Sequence, residues 1–245
     1  MNTSRTQYGS QTLDMSRDEG LRKFMLGVYN KLGLGLLVAA VLAFLTSGYA
    51  PVRDMMFVVE NGRFAGMTPL GMVVQWSPLV ALLGTMFFMR NPSPRAAGAL
   101  YWFVVATIGA GLGVWLLIYT SQSVAQTFVI TSAAFFGLSL FGYTTKMDLR
   151  PMGTFLIMGV IGLILASIVN IFLASSALMF AISALGVLIF SGLIAFDTQR
   201  LKHQYYELGG NESAMSVATS YGALSLFINF INLFQFLLMF LGQRE

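Results

Sequence analysis

Seven stretches almost free of charge divide this chain, at roughly 24–47, 70–89, 97–118, 124–143, 152–173, 178–199 and 219–241. An apolar helix needs about 20 residues to cross the hydrocarbon of a bilayer, and each run is close to or above that length. A membrane strand is about 10 residues of alternating pattern, whereas these runs are continuous. In lipid a lone segment must satisfy its own backbone hydrogen bonds, which leaves the helix. The stretch from Gly98 to Ile118 has no charged side chain and holds Trp102 and Trp115 towards its ends, where indole rings favour the interface.

Composition narrows the class further. Of the 245 residues 56% are hydrophobic and only 10% charged, with a mean hydropathy of +0.74. A soluble domain carries about 25% charged residues, so this chain cannot cover a globule of its size with ionic groups. An ordinary soluble enzyme, a disordered protein and a nucleic-acid binder are excluded. No cysteine is present, which removes disulfides, thiolate metal sites and thiol nucleophiles. The fold class expected is an all-α polytopic membrane protein of seven transmembrane helices.

The net charge of +4 gathers on one side. Odd-side segments hold Arg5, Arg17, Arg22, Lys23, Arg90, Arg95, Lys146, Arg150, Arg200 and Lys202, while even-side segments hold Arg53, Arg63 and Arg244. Such an excess marks the cytoplasmic side, so the N-terminus is expected in the cytoplasm and the C-terminus opposite it. Residues 1–22 read as a polar cytoplasmic tail without the apolar core of a signal peptide, and 23–245 as one transmembrane domain. The segment 48–69 reads as an outside loop with a short helix around 52–59. The segment 200–218 reads as the longest inside loop, turning at Gly209-Gly210-Asn211.

Small residues recur at helical spacing: Gly109 with Gly113, Gly159 with Leu163, and Gly162 with Ala166. Such pairs let helices approach closely. A phosphate-cradling loop at 109–113 fails, since no strand precedes it and no Lys or Asp follows in register. The 15 Met and 21 Phe read as lipid-facing and gap-filling residues.

Ionisable groups within a span are costly, about 2.5–3.5 kcal/mol each at the centre. Lys31 and Asp197 lie inside runs, and Arg90 closes the inner end of the second. Lysine and arginine can snorkel to the interface on long stems, which is the plain reading of Lys31 and Arg90. Asp197 is too short to do so and needs a partner, water or a proton. In the last run Gly222, Ser225, Asn229 and Asn232 share one helical face. That stripe reads equally as interhelical hydrogen bonding or as the lining of a polar path.

The segments Phe190-Ser-Gly-Leu-Ile-Ala-Phe-Asp197-Thr-Gln-Arg-Leu-Lys-His203 and Ala223-Leu-Ser-Leu-Phe-Ile-Asn229-Phe-Ile-Asn-Leu-Phe234 resemble the Bax inhibitor family of transmembrane proteins, bacterial members included. The resemblance covers the chain from about residue 20 onward and is most specific in these last two runs. It implies a seventh helix at the centre, wrapped by the other six, and a pH-sensitive calcium leak. It also implies, for some bacterial members, association with a membrane-bound AAA protease. In the family two aspartates, in the sixth and seventh helices, share a proton, and an arginine ending the second helix latches the first of them. Asp197 matches the sixth-helix aspartate, and Arg90 looks like the latch. Asn229 stands where the second aspartate would be.

That departure has a physical consequence. Two close carboxylates titrate as a coupled pair, and with Asn229 only one acid remains. Calcium prefers several oxygens, more than one of them carboxylate, so Asp197 is a weak metal candidate. The functional expectation is a pH-influenced passive leak for calcium or another cation in a bacterial inner membrane. Asp197, Asn229 and Arg90 would gate it, with Ser225 and Asn232 lining the path and no cofactor. The alternative is a non-transporting regulator or partner of an AAA protease, engaged through the polar tail. No enzyme is expected, because the single histidine, His203, lies in or beside a loop and only one aspartate is intramembrane.

Overall fold

Asp18 opens the first long helix. Its carboxylate accepts the Leu21 N–H at 3.0 Å, satisfying one of the donors that a helix start leaves bare. The computed structural model describes residues 18–61, 63–88 and 91–243. The tail to residue 17, with Arg5 and Arg17, and also Gly62, Arg90 and Arg244, lie outside the described residues.

The chain forms α1 (Glu19–Gly48), α2 (Ala50–Met56), β1 (Phe57–Glu60), β2 (Arg63–Met67), α3 (Pro69–Phe88), α4 (Pro94–Gly111), α5 (Gly113–Ile118), α6 (Ser121–Thr144), α7 (Arg150–Leu173), α8 (Ser176–Glu207) and α9 (Glu212–Leu241). On α1 the buried residues Leu21, Phe24, Val28, Leu32, Gly35 and Ala39 recur at the helical period. Outside that stripe Leu34, Leu37 and Phe44 are more than half exposed. Exposed apolar faces of this kind suit a hydrocarbon solvent. Among the described residues six spans are long and apolar enough to cross a membrane: α1, α4 with α5 (Pro94–Ile118), α6, α7, α8 and α9. The apolar part of α3, Pro69–Thr85, is shorter and contains Pro78.

Several boundaries differ from the sequence reading. The run 97–118 breaks at Leu112, whose N–H reaches back to Ile108 O at 2.9 Å and Gly109 O at 3.2 Å. The segment 48–69 contains α2 followed by an antiparallel hairpin pairing Phe57 with Met67 and Glu60 with Arg63. Asn61 turns it with φ of 51°. Asn-Gly between apolar strands is a strong hairpin signal, and the sequence reading passed over it. The expected inside loop 200–218 shrinks to Leu208–Asn211, because α8 continues to Glu207 and α9 starts at Glu212. The turn itself stands where expected: Gly209 and Gly210 have φ of 56° and 82°, a region that favours glycine. Asn211 then caps α9 by accepting the Ala214 N–H at 3.1 Å.

α9 packs against α8, α1, α4 and α6, and half of its most apolar stretch is buried, against 17% for α7. Two ends of the bundle follow from side-chain contacts. At one end Tyr205 donates to Asp18 at 3.4 Å and Lys202 donates to Tyr143 O at 2.9 Å. There, too, Gln199 donates to Met147 O at 2.6 Å and accepts the Leu149 N–H at 2.8 Å. In the exposed α6–α7 connection Arg150 chelates Asp148 at 2.8–3.1 Å and holds its carboxyl down to about 2. At the other end Thr46 donates to Ala110 O at 2.9 Å, and Gln243 is tied to Thr120 and Ser123.

The Gly109–Gly113 pair does what its spacing suggests. A Cβ on Gly109 would lie 2.6 Å from Ala39 Cα, and one on Gly113 would strike Thr46. Gly162 is different: a Cβ there meets nothing within 4 Å, so the expected packing with Ala166 is not formed by that glycine. Gly109→Ala should therefore cost about 1–3 kcal/mol through overpacking of α1 on α4. Gly162→Ala should be neutral or stabilising by about 0.4–1 kcal/mol. Reversible unfolding of the two variants in detergent checks the contrast, and equal losses would refute it.

Candidate functional site

Asp197 stands on α8 with its side chain only 5% exposed. An ionised carboxylate withdrawn from water is tolerated only when its oxygens are paired, and here both are. Oδ2 accepts from the hydroxyl of Ser225 and from Asn229 Nδ2 at 2.7 Å. Oδ1 meets the Arg200 guanidinium at 2.9 Å. Ser225 and Asn229 lie four apart on α9, so one face presents both donors. Arg200 lies three residues beyond Asp197 and one turn further along α8.

Arg200 is the partner that the sequence reading missed. It was counted among loop charges, yet α8 continues past it, and its spacing from Asp197 was the available signal. Its guanidinium lies 5.7 Å from the Phe196 ring centre and 3.4 Å from Ser225 Oγ. Asp197 is shut away, but the Arg200 side chain is 48% exposed. Arg200 also lines a cavity of about 690 Å³, with Arg150, Thr154, His203, Glu207 and Tyr221. A single guanidinium thus stands between the buried carboxylate and a cleft of mixed lining at this end of the bundle.

The other expected site residues divide. Ser225 and Asn229 join Asp197 directly. Asn232 turns away and donates to Ile228 O of its own helix at 2.8 Å. Arg90 lies outside the described residues. Lys31 does not run along its stem towards the interface. It points at α9, donating to Ser220 Oγ at 2.7 Å beneath the Tyr101 ring at 5.0 Å. Among the described residues no three acidic, histidine or cysteine side chains cluster as metal ligands.

Beside Asp197, Thr198 faces another neighbour. It donates to Ile194 O at 2.9 Å, so its oxygen accepts from Ser139 at 2.9 Å, and Ser139 in turn accepts from Tyr29 at 2.7 Å. This hydroxyl ladder joins α8, α6 and α1.

Comparison with known proteins identifies the family to which the chain belongs. Residues 21–245 match the family model described as "Inhibitor of apoptosis-promoting Bax1". A Caulobacter vibrioides protein described as "Uncharacterized protein" is 66% identical over 232 residues, covering 95% of this chain and 93% of that protein. A Rickettsia prowazekii protein, also described as uncharacterised, is 43% identical over 93% of this chain and 92% of its own length. "Inner membrane protein YbhL" of Escherichia coli is 37% identical over 92% of this chain and 94% of its own length.

Asn229→Leu removes a donor to a buried carboxylate and should destabilise the protein by about 1–3 kcal/mol. Asn232→Leu loses only a bond to its own helix and should cost less than about 0.6 kcal/mol. Unfolding in detergent separates the two, and an equal or reversed order would contradict the assignment of Asn229 to Asp197.

Proposed function

We propose that this chain, which belongs to the Bax inhibitor family of membrane proteins, is a passive cation leak gated where α8 meets α9, with calcium as its cargo. The observation that carries the reading is the Asp197 carboxylate, the one buried acidic side chain among the described residues, held by Ser225, Asn229 and Arg200. Membrane interiors retain such a group at a cost, and it marks an ion or proton path by default.

In this reading α3 completes seven crossings and α9 stands at the centre. The lysine and arginine excess supports an N-terminus in the cytoplasm, and the named Escherichia coli relative supports a bacterial inner membrane. In the closed state Arg200 covers Asp197 from the cleft side, and Ser225 with Asn229 fastens it to α9. A cation arriving from the cleft competes with the guanidinium for the carboxylate. Protonation of Asp197 also removes the ionic partner of Arg200 and loosens the same contact. With one carboxylate the site is a poor store for calcium, which favours six to eight oxygens, but one weak site is what passage requires. Arg90 remains a second candidate latch from the resemblance.

The test is calcium-dye flux in liposomes reconstituted with purified protein, measured at several pH values between about pH 5 and pH 8. Asp197→Asn and Arg200→Gln should each raise flux several-fold, the factor that an ion pair worth about 1 kcal/mol controls. Asn229→Asp should introduce or sharpen a pH transition, since two adjoining acids titrate as a pair. Flux no greater than that of empty liposomes throughout the range would overturn the leak and leave the regulator of a membrane protease as the surviving reading.

A further inference from the structure

A cleft of about 850 Å³ runs between α1 and α6, on the far side of the hydroxyl ladder from Asp197. Its lining changes character along its length. Asp18, Glu19 and Arg22 stand at one end, while Leu32, Leu36 and Phe135 lie deeper. The cleft opens sideways past Phe136 and Leu140, which are 73% and 53% exposed, onto the surface that faces hydrocarbon. Tyr29 and Ser139, hydrogen-bonded at 2.7 Å, belong to its wall.

The helix length sets the depth of these groups. The 30 residues of α1 extend about 45 Å against about 30 Å of hydrocarbon. The first turns of α1 therefore project into the headgroup layer, and Leu36 lies about 27 Å below Asp18 along the axis. Charge stands at headgroup depth and apolar wall at acyl-chain depth. Among the described residues neither Glu19 nor Arg22 has an ion-pair partner, and both are exposed. Gly33, halfway down the wall, leaves space that no protein atom within 4 Å uses, although glycine is a poor residue for a helix interior.

We propose that this cleft is a binding site for one phospholipid with a primary-amine zwitterionic headgroup, a phosphatidylethanolamine. Its phosphate sits on Arg22 and its ammonium on Glu19, and an acyl chain fills the space beside Gly33. The charge pattern selects among lipids. Two carboxylates and one guanidinium at the rim match one cation and one anion of the ligand but oppose a net negative headgroup. A choline headgroup has no N–H to donate to a carboxylate. The chain's own first 17 residues are rich in Ser, Thr and Gln and would bring unpaired polar groups into an apolar wall.

The experiment titrates delipidated full-length protein in mixed micelles with phosphatidylethanolamine, phosphatidylcholine or phosphatidylglycerol, reading the unfolding temperature and, by native mass spectrometry, retained lipid. Phosphatidylethanolamine should raise the unfolding temperature and remain bound, and the other two should do neither. Gly33→Phe fills the cleft and should abolish retention. Arg22→Gln and Glu19→Gln, both at exposed positions, should each weaken binding about tenfold through the loss of one charge-assisted contact. Equal effects of the three lipids would overturn the proposal. So would undiminished binding by both rim variants, which decide the matter if Gly33→Phe does not fold. Binding that appears only after deletion of residues 1–17 would assign the cleft to the tail and also overturn it.

Discussion

Burial of one polar turn in an apolar bundle is the constraint around which this molecule is arranged. From Asp197 to Lys202 α8 carries four buried polar side chains that hydrocarbon cannot accept, and each is met by a partner. Asp197 takes its donors from α9 and from Arg200. Thr198 is joined to Ser139 of α6. Gln199 grips the backbone of the α6–α7 connection at Met147 and Leu149. Lys202 answers the carbonyl of Tyr143 near the end of α6, where a helix carries partial negative charge. A buried polar group left without a partner costs more than a made bond contributes, so these pairings fix the rotation of α8 and the height of its neighbours together.

The remainder of the bundle obeys a different economy, because its solvent is apolar. Large side chains crowd the outside: Phe88, Phe172 and Phe87 are 88%, 83% and 77% exposed. Small ones allow close approach within. Gly142 faces the backbone of Ala195, and Gly109 faces that of Ala39. Without a hydrophobic drive between helices in lipid, contact and hydrogen bonding must supply association. The glycines that touch a neighbouring backbone are consistent with that, whereas Gly162 and Gly33 face open space.

Much of the helix placement was legible in the primary structure because long uncharged runs have few alternatives in a membrane. The ends were less so. Arg200, Lys202 and His203 look like loop charges, yet they ride on a helix that outlasts its apolar part by more than a turn. Charge density marks where hydrocarbon ends and says little about where a helix ends. The β1–β2 hairpin was missed because two short strands give a weak pattern beside spans of 20 or more residues. At the site, the shared face of Ser225 and Asn229 was legible from spacing, but only Asn229 was tied to Asp197, through the family resemblance, and Ser225 was read as lining a path. Asn232 shares that face but bonds to its own backbone, a choice of rotamer that periodicity cannot reveal.

The two extremities of α9 are held unequally. Its C-terminal side is clasped, with Gln243 accepting the Thr120 N–H and donating to the Ser123 hydroxyl. Its N-terminal side issues from two consecutive glycines with positive φ, where the backbone is least restricted. The turn those glycines permit is tight enough to fold α9 back alongside α8. Asp197 and donors that stand 28 and 32 residues away in the chain therefore meet side by side.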